Sequence, residues 1–229
     1  MSKTIVVVGF GPGTSTGVAE AFGAQGFSVA LVGRTKDRLD AGVAALKAKG
    51  VTAAAFVANA ADPAALAKMI GDVRSAFGSI TAILWNAYGG EAGDLTTASM
   101  AEIRGIFDVP VSGLLATVQA ALPDLKASKG AVLVTNGRLG DLNAQVDQAA
   151  ASANIMGLGL ANATKHKLVG LLAAKLKPEG IYVGEVMISG TIKGTPWAAN
   201  NPKTIEQSRM GEAFLKLYNE RTETYARVS

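Results

Sequence analysis

The chain is 229 residues long, which suits one α/β domain with a well-buried sheet; 49% apolar residues, 17% charged residues and abundant alanine and glycine favour close helix-on-sheet packing over disorder. The net charge of +4 is spread out, with Lys165, His166 and Lys167 the only tight basic cluster, so no nucleic-acid surface is expected. The absence of cysteine excludes disulfides, thiolate nucleophiles and zinc–sulfur sites, and a single histidine gives no basis for a metal site.

Short β-branched runs alternate with longer alanine-rich segments of helical period. In chain order, strands are predicted at Thr4–Val8, Ser28–Val32, Thr52–Val57, Ala82–Trp85, Ala131–Thr135 and Tyr182–Ile188. The helices between them are predicted at Thr16–Ala24, Thr35–Lys49, Pro63–Phe77, Met100–Leu125, Leu158–Leu176 and Ile205–Tyr218. Pro63 falls in a first helical turn and Pro178-Glu179-Gly180 closes a helix, both places the backbone tolerates. The rhythm predicts a doubly wound, Rossmann-type parallel sheet with helices on both faces, as a single domain over residues 1–229. The four strongly apolar residues after Met-Ser-Lys-Thr are too few for a signal peptide, and no stretch reaches the roughly twenty uninterrupted apolar residues of a membrane span. A cytoplasmic protein with no membrane partner is the expectation.

The first strand runs into Gly9-Phe10-Gly11-Pro12-Gly13-Thr14-Ser15. A pyrophosphate is held by backbone N–H groups at a helix N-terminus, and the chain comes that close only where side chains are missing; Gly9, Gly11 and Gly13 meet that need. Strand, turn and helix in order predict a nicotinamide-dinucleotide site. S-adenosylmethionine is the rival ligand, and it wants a carboxylate at the end of the second strand, where this chain has Gly33-Arg34-Thr35. A guanidinium there suits a 2′-phosphate, so NADP(H) is expected in preference to NAD(H). The bland alternative makes Arg34 an exposed arginine paired with Asp37.

Over essentially its whole length the chain resembles the short-chain dehydrogenase/reductase family. The turn is similar to that family's Gly-x-x-x-Gly-x-Gly, with Ser15 in place of the third glycine. Asn59-Ala60-Ala61-Asp62 resembles the segment whose acid touches the adenine amino group, and Trp85-Asn86-Ala87-Tyr88 resembles Asn-Asn-Ala-Gly. Gly190-Thr191-Ile192-Lys193 resembles the loop that holds the nicotinamide carboxamide through backbone groups. The resemblance implies cofactor contacts from the turn and Arg34, Thr35, Asn59, Ala60, Asn86, Ala87, Gly190 and Ile192. It also implies a substrate-covering segment around residues 190–220, a small-molecule substrate, and a homodimer or homotetramer formed through the helices predicted near Met100–Leu125 and Leu158–Leu176.

The family's chemistry needs a serine to polarise the carbonyl, a tyrosine to move the proton and a lysine four residues later. In this chain Gly137 falls at the serine position, Leu158 at the tyrosine position and Asn162 at the lysine position, while Pro110 replaces the helix asparagine. A shifted register brings Lys165 to the lysine position, with Ala161 then standing for the tyrosine. Candidate replacements are Tyr88, whose hydroxyl either reaches a substrate or closes the site by packing, the amides of Asn136 and Asn162, and Lys165. Asn143, His166 and Trp197 each have an ordinary capping, surface or packing role as the alternative. Two readings follow: an NADP-dependent oxidoreductase of non-standard active site acting on a small carbonyl, or a non-catalytic NADP-binding sensor or scaffold.

Overall fold

The computed structural model describes residues 3–89 and 92–229. The sheet is built from seven parallel strands: β1 (Lys3–Val8), β2 (Phe27–Gly33), β3 (Ala53–Val57), β4 (Ala82–Trp85), β5 (Ala131–Gly137), β6 (Tyr182–Ile188) and β7 (Tyr225–Val228). Their spatial order is β3-β2-β1-β4-β5-β6-β7. The chain leaves the centre in both directions, so the C-terminal ends of β1 and β4 flank a crevice, the place where such sheets bind ligands.

Among the described residues there are eight α-helices: α1 (Thr14–Ala24), α2 (Lys36–Ala48), α3 (Pro63–Phe77), α4 (Met100–Gly105), α5 (Leu114–Ser128), α6 (Ala144–Ser152), α7 (Met156–Leu176) and α8 (Gln207–Glu220). Strand alternation sorts the core into two layers. Val6, Val8, Ile83 and Val134 pack under α3, α5 and α7, whereas Ile5, Val7, Leu84 and Leu133 pack under α1, α2 and α8. Both faces of the central strands are buried, which is why those strands read as unbroken apolar runs. Asp62 caps α3 by accepting from the N–H groups of Ala64 and Ala65, with Pro63 behind it.

Three elements differ from the sequence expectation. The helix predicted over Met100–Leu125 is divided: a π-helical stretch, Asp108–Gly113, separates α4 from α5. Pro110 has no N–H to close a regular turn and its ring crowds the preceding one, so the backbone widens, with the Ser112 N–H donating five residues back to the Phe107 carbonyl at 3.0 Å. This helical run is long and apolar enough by composition to cross a membrane, and its α5 face, with Leu114, Val118, Ala121 and Leu125, is buried against the sheet. α6 forms because Asn143 accepts from the Gln145 N–H at 2.8 Å, a cap in a segment with little apolar periodicity. β7 is an edge strand whose Tyr-Ala-Arg-Val carries too little apolar character to announce itself, and it pairs with β6 from Glu185↔Tyr225 onward.

Helices α1 and α8 cross at glycines. A Cβ at Gly17 would lie 1.8 Å from the Gln207 carbonyl oxygen, and one at Gly211 would lie 2.5 Å from the Gly17 oxygen. This close crossing ties the helix behind the glycine turn to the last helix of the chain.

Candidate functional site

The turn after β1 is fixed from both sides. Gly9 and Phe10 both donate to the Val32 carbonyl at 2.9 Å, and the Asn86 side chain donates to the Gly9 carbonyl at 3.0 Å. Gly9 has φ +84°, and a Cβ there would stand 2.4 Å from the Ala87 nitrogen, so no side chain fits. Ser15, at the position of the expected third glycine, clamps the turn: its Oγ accepts from the Gly11 N–H at 2.9 Å and donates to the Gly11 carbonyl at 2.8 Å. α1 then begins at Thr14 without a side-chain cap and without an acidic residue in its first turn. Thr14 and Ser15 are buried, yet the N–H groups of Thr14, Ser15 and Thr16 meet no acceptor among the described residues. Buried backbone donors at a positive helix end fit an anionic group such as a pyrophosphate.

Around this turn lie the other residues expected to hold the cofactor. Arg34, just beyond β2, is exposed and has no ion pair or hydrogen bond among the described residues; the ion pair in this helix joins Lys36 to Asp40 instead. Thr35 caps α2 through its backbone alone. Asn59 directs its Oδ1 to the Ala61 N–H at 3.1 Å, closing its own loop, and the Ala60 carbonyl lies where a Cβ on Gly113 would be only 2.0 Å away. The Asn86 side chain is engaged with the turn, and Ala87 is buried beside it. Gly190 meets Ile205, and Ile192 is held in a bridge with Ile205 and packs over Gly13, as does Thr195. The loop after β6 thus lies on the glycine turn, leaving Pro12 and Gly11 at the open side, where a Cβ on Gly11 would meet nothing.

A second polar group occupies the C-terminal ends of β5 and β6 under α7. Asn136 is buried with both polar atoms engaged: Nδ2 donates to the Asn162 carbonyl and to Glu185 Oε2, both at 3.0 Å, and Oδ1 accepts from the Gly137 N–H at 3.0 Å. Glu185, only 1% exposed, sits on β6 and has its other oxygen 2.7 Å from His166 Nδ1. A Cβ on Gly137 would stand 3.0 Å from Asn162 Nδ2, so the amide of Asn162 fills the space that a side chain at 137 would take. That amide has no protein partner among the described residues. Lys165 is 4% exposed, and its Nζ has no hydrogen-bond acceptor among them either. Burial pulls its pKa down to about 8, and the Glu185 carboxylate opposes that pull.

The remaining candidates lie further out. Tyr88 follows β4 with 69% of its surface exposed and no hydrogen bond among the described residues. Asn143 is the α6 cap, and Trp197 is exposed in the segment before α8. His166 differs from its expected surface role by having a partner, since it pairs with Glu185 and lies against the Tyr225 ring at 4.5 Å between centroids. Sequence reading passed over Glu185 altogether; its one signal is a charge inside an otherwise apolar strand. Beside this group a recess of about 470 Å³ opens, walled by Arg138, Asn143, Gln145 and the Arg227–Asp141 pair. Arg227 holds the Asp141 carboxyl below its ordinary range.

The strand order, the crevice at β1 and β4 and the glycine-bounded helix N-terminus define a Rossmann-type α/β protein. The chain belongs to the short chain dehydrogenase family, whose model matches residues 3–205. It is 28% identical over 190 residues to a 3-oxoacyl-(acyl-carrier-protein) reductase of Staphylococcus aureus (strain Mu50), covering 81% of this chain and 77% of that one. It is 32% identical over 134 residues to a meso-2,3-butanediol dehydrogenase of Serratia marcescens, covering 58% of this chain and 53% of that one. Among solved structures, the fold matches L-sorbose reductase from Gluconobacter frateurii complexed with NADPH and L-sorbose, with a TM-score of 0.83, 19% identity, and coverage of 100% and 95%. It also matches the NADPH-bound structure of a short chain oxidoreductase from Pseudomonas aeruginosa PAO1 containing an atypical catalytic center, with a TM-score of 0.84, 19% identity, and coverage of 99% and 95%.

Proposed function

We propose that this protein is an NADP-dependent oxidoreductase with a non-standard active site, acting on a small carbonyl or related substrate. One observation carries the reading: a buried lysine without a hydrogen-bond acceptor among the described residues, three positions along α7 from a buried asparagine whose amide faces Gly137. The usual serine, tyrosine and lysine positions are taken by Gly137, Leu158 and Asn162. When bound, the dinucleotide supplies or accepts the hydride. The glycine turn and the free N–H groups of Thr14 and Ser15 hold its pyrophosphate, and Arg34 holds the 2′-phosphate that distinguishes NADP(H) from NAD(H). Thr35, Asn59 and Ala60 border the adenosine, while Ala87, Gly190 and Ile192 enclose the nicotinamide end.

On the substrate side, Asn162 Nδ2 donates to the carbonyl oxygen, in the space left by the missing side chain at Gly137. Long side chains on a helix lean toward its N-terminus, which carries Lys165 from its own turn back toward Asn162. Its ammonium gives the proton that the oxygen needs as the carbonyl is reduced, and the amine takes it back in the reverse direction. Asn136 touches no substrate and positions Gly137 and α7. Tyr88 stands at the rim, and the segment over residues 190–220, with Trp197, covers the substrate. Exposed Leu160 and Leu171 on α7 and Met100 on α4 fit a homodimer or homotetramer, which light scattering checks.

The test is turnover. Wild-type protein is expected to oxidise NADPH with members of a carbonyl panel, and Lys165→Met is expected to abolish this while still binding NADPH. Undiminished turnover in the variant overturns the assignment of Lys165. The replaced catalytic positions also favour a second reading, a non-catalytic NADP-binding sensor or scaffold. Tight NADPH binding without turnover across the panel, even after Leu158→Tyr with Asn162→Lys, establishes that reading instead.

A further inference from the structure

The patch between β5, β6 and α7 is a charged island in an apolar layer. Around it Val134, Val183, Val169 and Leu176 are buried. A carboxylate in such a place needs a counter-charge and hydrogen bonds on both oxygens, or it takes up a proton. Glu185 has the hydrogen bonds, one from Asn136 Nδ2 and one shared with His166 Nδ1. For the counter-charge, α7 offers two consecutive residues with opposite exposures. His166 is 38% exposed at its side chain, while Lys165 is turned inward.

The other ionisable groups facing the island are accounted for. From β7, the Tyr225 ring lies against His166, and Arg227 is committed to Asp141 through two hydrogen bonds and to Ser189 through a third. From the β5–α6 connection, Asp141 is that arginine's partner, and the exposed Arg138 lies beside it. Lys165, buried at the α7 position next to His166, is thus the remaining cation whose charge is felt by Glu185.

We propose that Glu185 is a positioning residue of the proton-delivering site: a buried carboxylate, fixed by Asn136 and His166, that serves as counter-charge to Lys165 and couples it to the solvent-facing imidazole. Glu185 acts through Lys165 and touches neither substrate nor cofactor. Its charge keeps the ammonium form populated in a pocket whose dryness disfavours it, so the lysine is charged when a proton is required and neutral soon after. Asn136 sets the distance, since one amide group spans Glu185 and the Asn162 backbone. The proposal rests on the reading of Lys165 as proton donor, and the experiment separates the two.

The chain contains one histidine, so a single set of imidazole resonances reports on the island without assignment. In a proton NMR titration of the full chain, the His166 signal is expected to show an inflection near pH 8, where Lys165 titrates. Lys165→Met removes that inflection. Glu185→Gln, which keeps the shape and one acceptor, moves it to lower pH, since the carboxylate charge that opposes deprotonation is gone. The alkaline limb of kcat/KM moves with it, while the KM for NADPH stays put; Glu185→Asp restores part of the shift. An inflection near pH 8 that Glu185→Gln leaves in place, or no inflection in wild type, overturns the proposal. Should Glu185→Gln fail to fold, loss of the inflection in Lys165→Met together with partial displacement in Glu185→Asp supports it, and an unmoved inflection in Glu185→Asp overturns it. If turnover survives Lys165→Met while the inflections behave as expected, the proton-donor reading falls and the charge coupling stands.

Discussion

The glycine turn and the island beneath α7 solve opposite problems. At the turn, side chains are absent and backbone donors stay open, and its clamp is local, with Ser15 answering Gly11 four residues away. The island is made of side chains brought from three elements, and its central hydrogen bond joins Asn136 to a residue 49 positions further on. The turn tolerates little change at Gly9, because a Cβ added there meets main-chain atoms of Asn86 and Ala87. A polar cluster assembled across elements can be rebuilt by changing which side chains meet.

That contrast is broken most severely at the turn. Gly9→Ala forces a Cβ to within 2.4 Å of the Ala87 nitrogen at a φ of +84°, and the neighbours are backbone that cannot step aside. A loss of about 3 kcal/mol or more is expected, lowering Tm by roughly 6–12 °C in thermal unfolding, along with loss of NADPH binding.

The island predicts a change of opposite sign. Lys165 has a folded pKa of about 8, below its ordinary 10.5, so between those values the unfolded chain binds the extra proton. Stability is therefore depressed below pH 8 and recovers as pH rises toward 10.5, by roughly 3 kcal/mol in all. In Lys165→Met that rise in stability between pH 8 and 10.5 is expected to disappear, while turnover is lost. A rise that survives in the variant contradicts the assignment of this window to Lys165.

Two smaller effects sharpen the picture. Arg34→Ala should weaken NADPH binding about 10- to 100-fold and leave NADH binding unchanged in a fluorescence titration, as loss of a charged hydrogen-bond pair implies. Far from both regions, Arg74 grips Asp124 through two nitrogens, the shorter contact being 2.6 Å. Arg74→Ala is expected to cost about 1 kcal/mol, because the arginine is partly exposed, with no effect on cofactor affinity or on the pH 8 inflection.

Much of the fold was legible beforehand. The strands β1 to β6 stood out because a sheet covered on both faces demands continuous apolar runs, and the turn stood out because glycine spacing is a local property. β7 was missed because an edge strand needs only half-buried residues, and Tyr225 to Val228 alternate between exposed and intermediate. The break at Pro110 is visible as a proline, but whether a helix ends, kinks or widens there depends on what packs beside it, here Gly113 against the Ala60 carbonyl. In the site, Asn136, Asn162 and Lys165 were recognisable as polar residues near the right edge, whereas their partner Glu185 was hidden in a strand.

The sequence by itself determined the doubly wound class and the glycine turn between β1 and α1, since each depends on residue types at short spacing. Tertiary structure alone decided that Asn136 would be a brace with both polar atoms engaged, that His166 would have a buried partner and that Lys165 would face inward without an acceptor. Those outcomes depend on the register of α7 over β5 and β6, and a one-residue rotation of a helix changes which side chain is taken out of water.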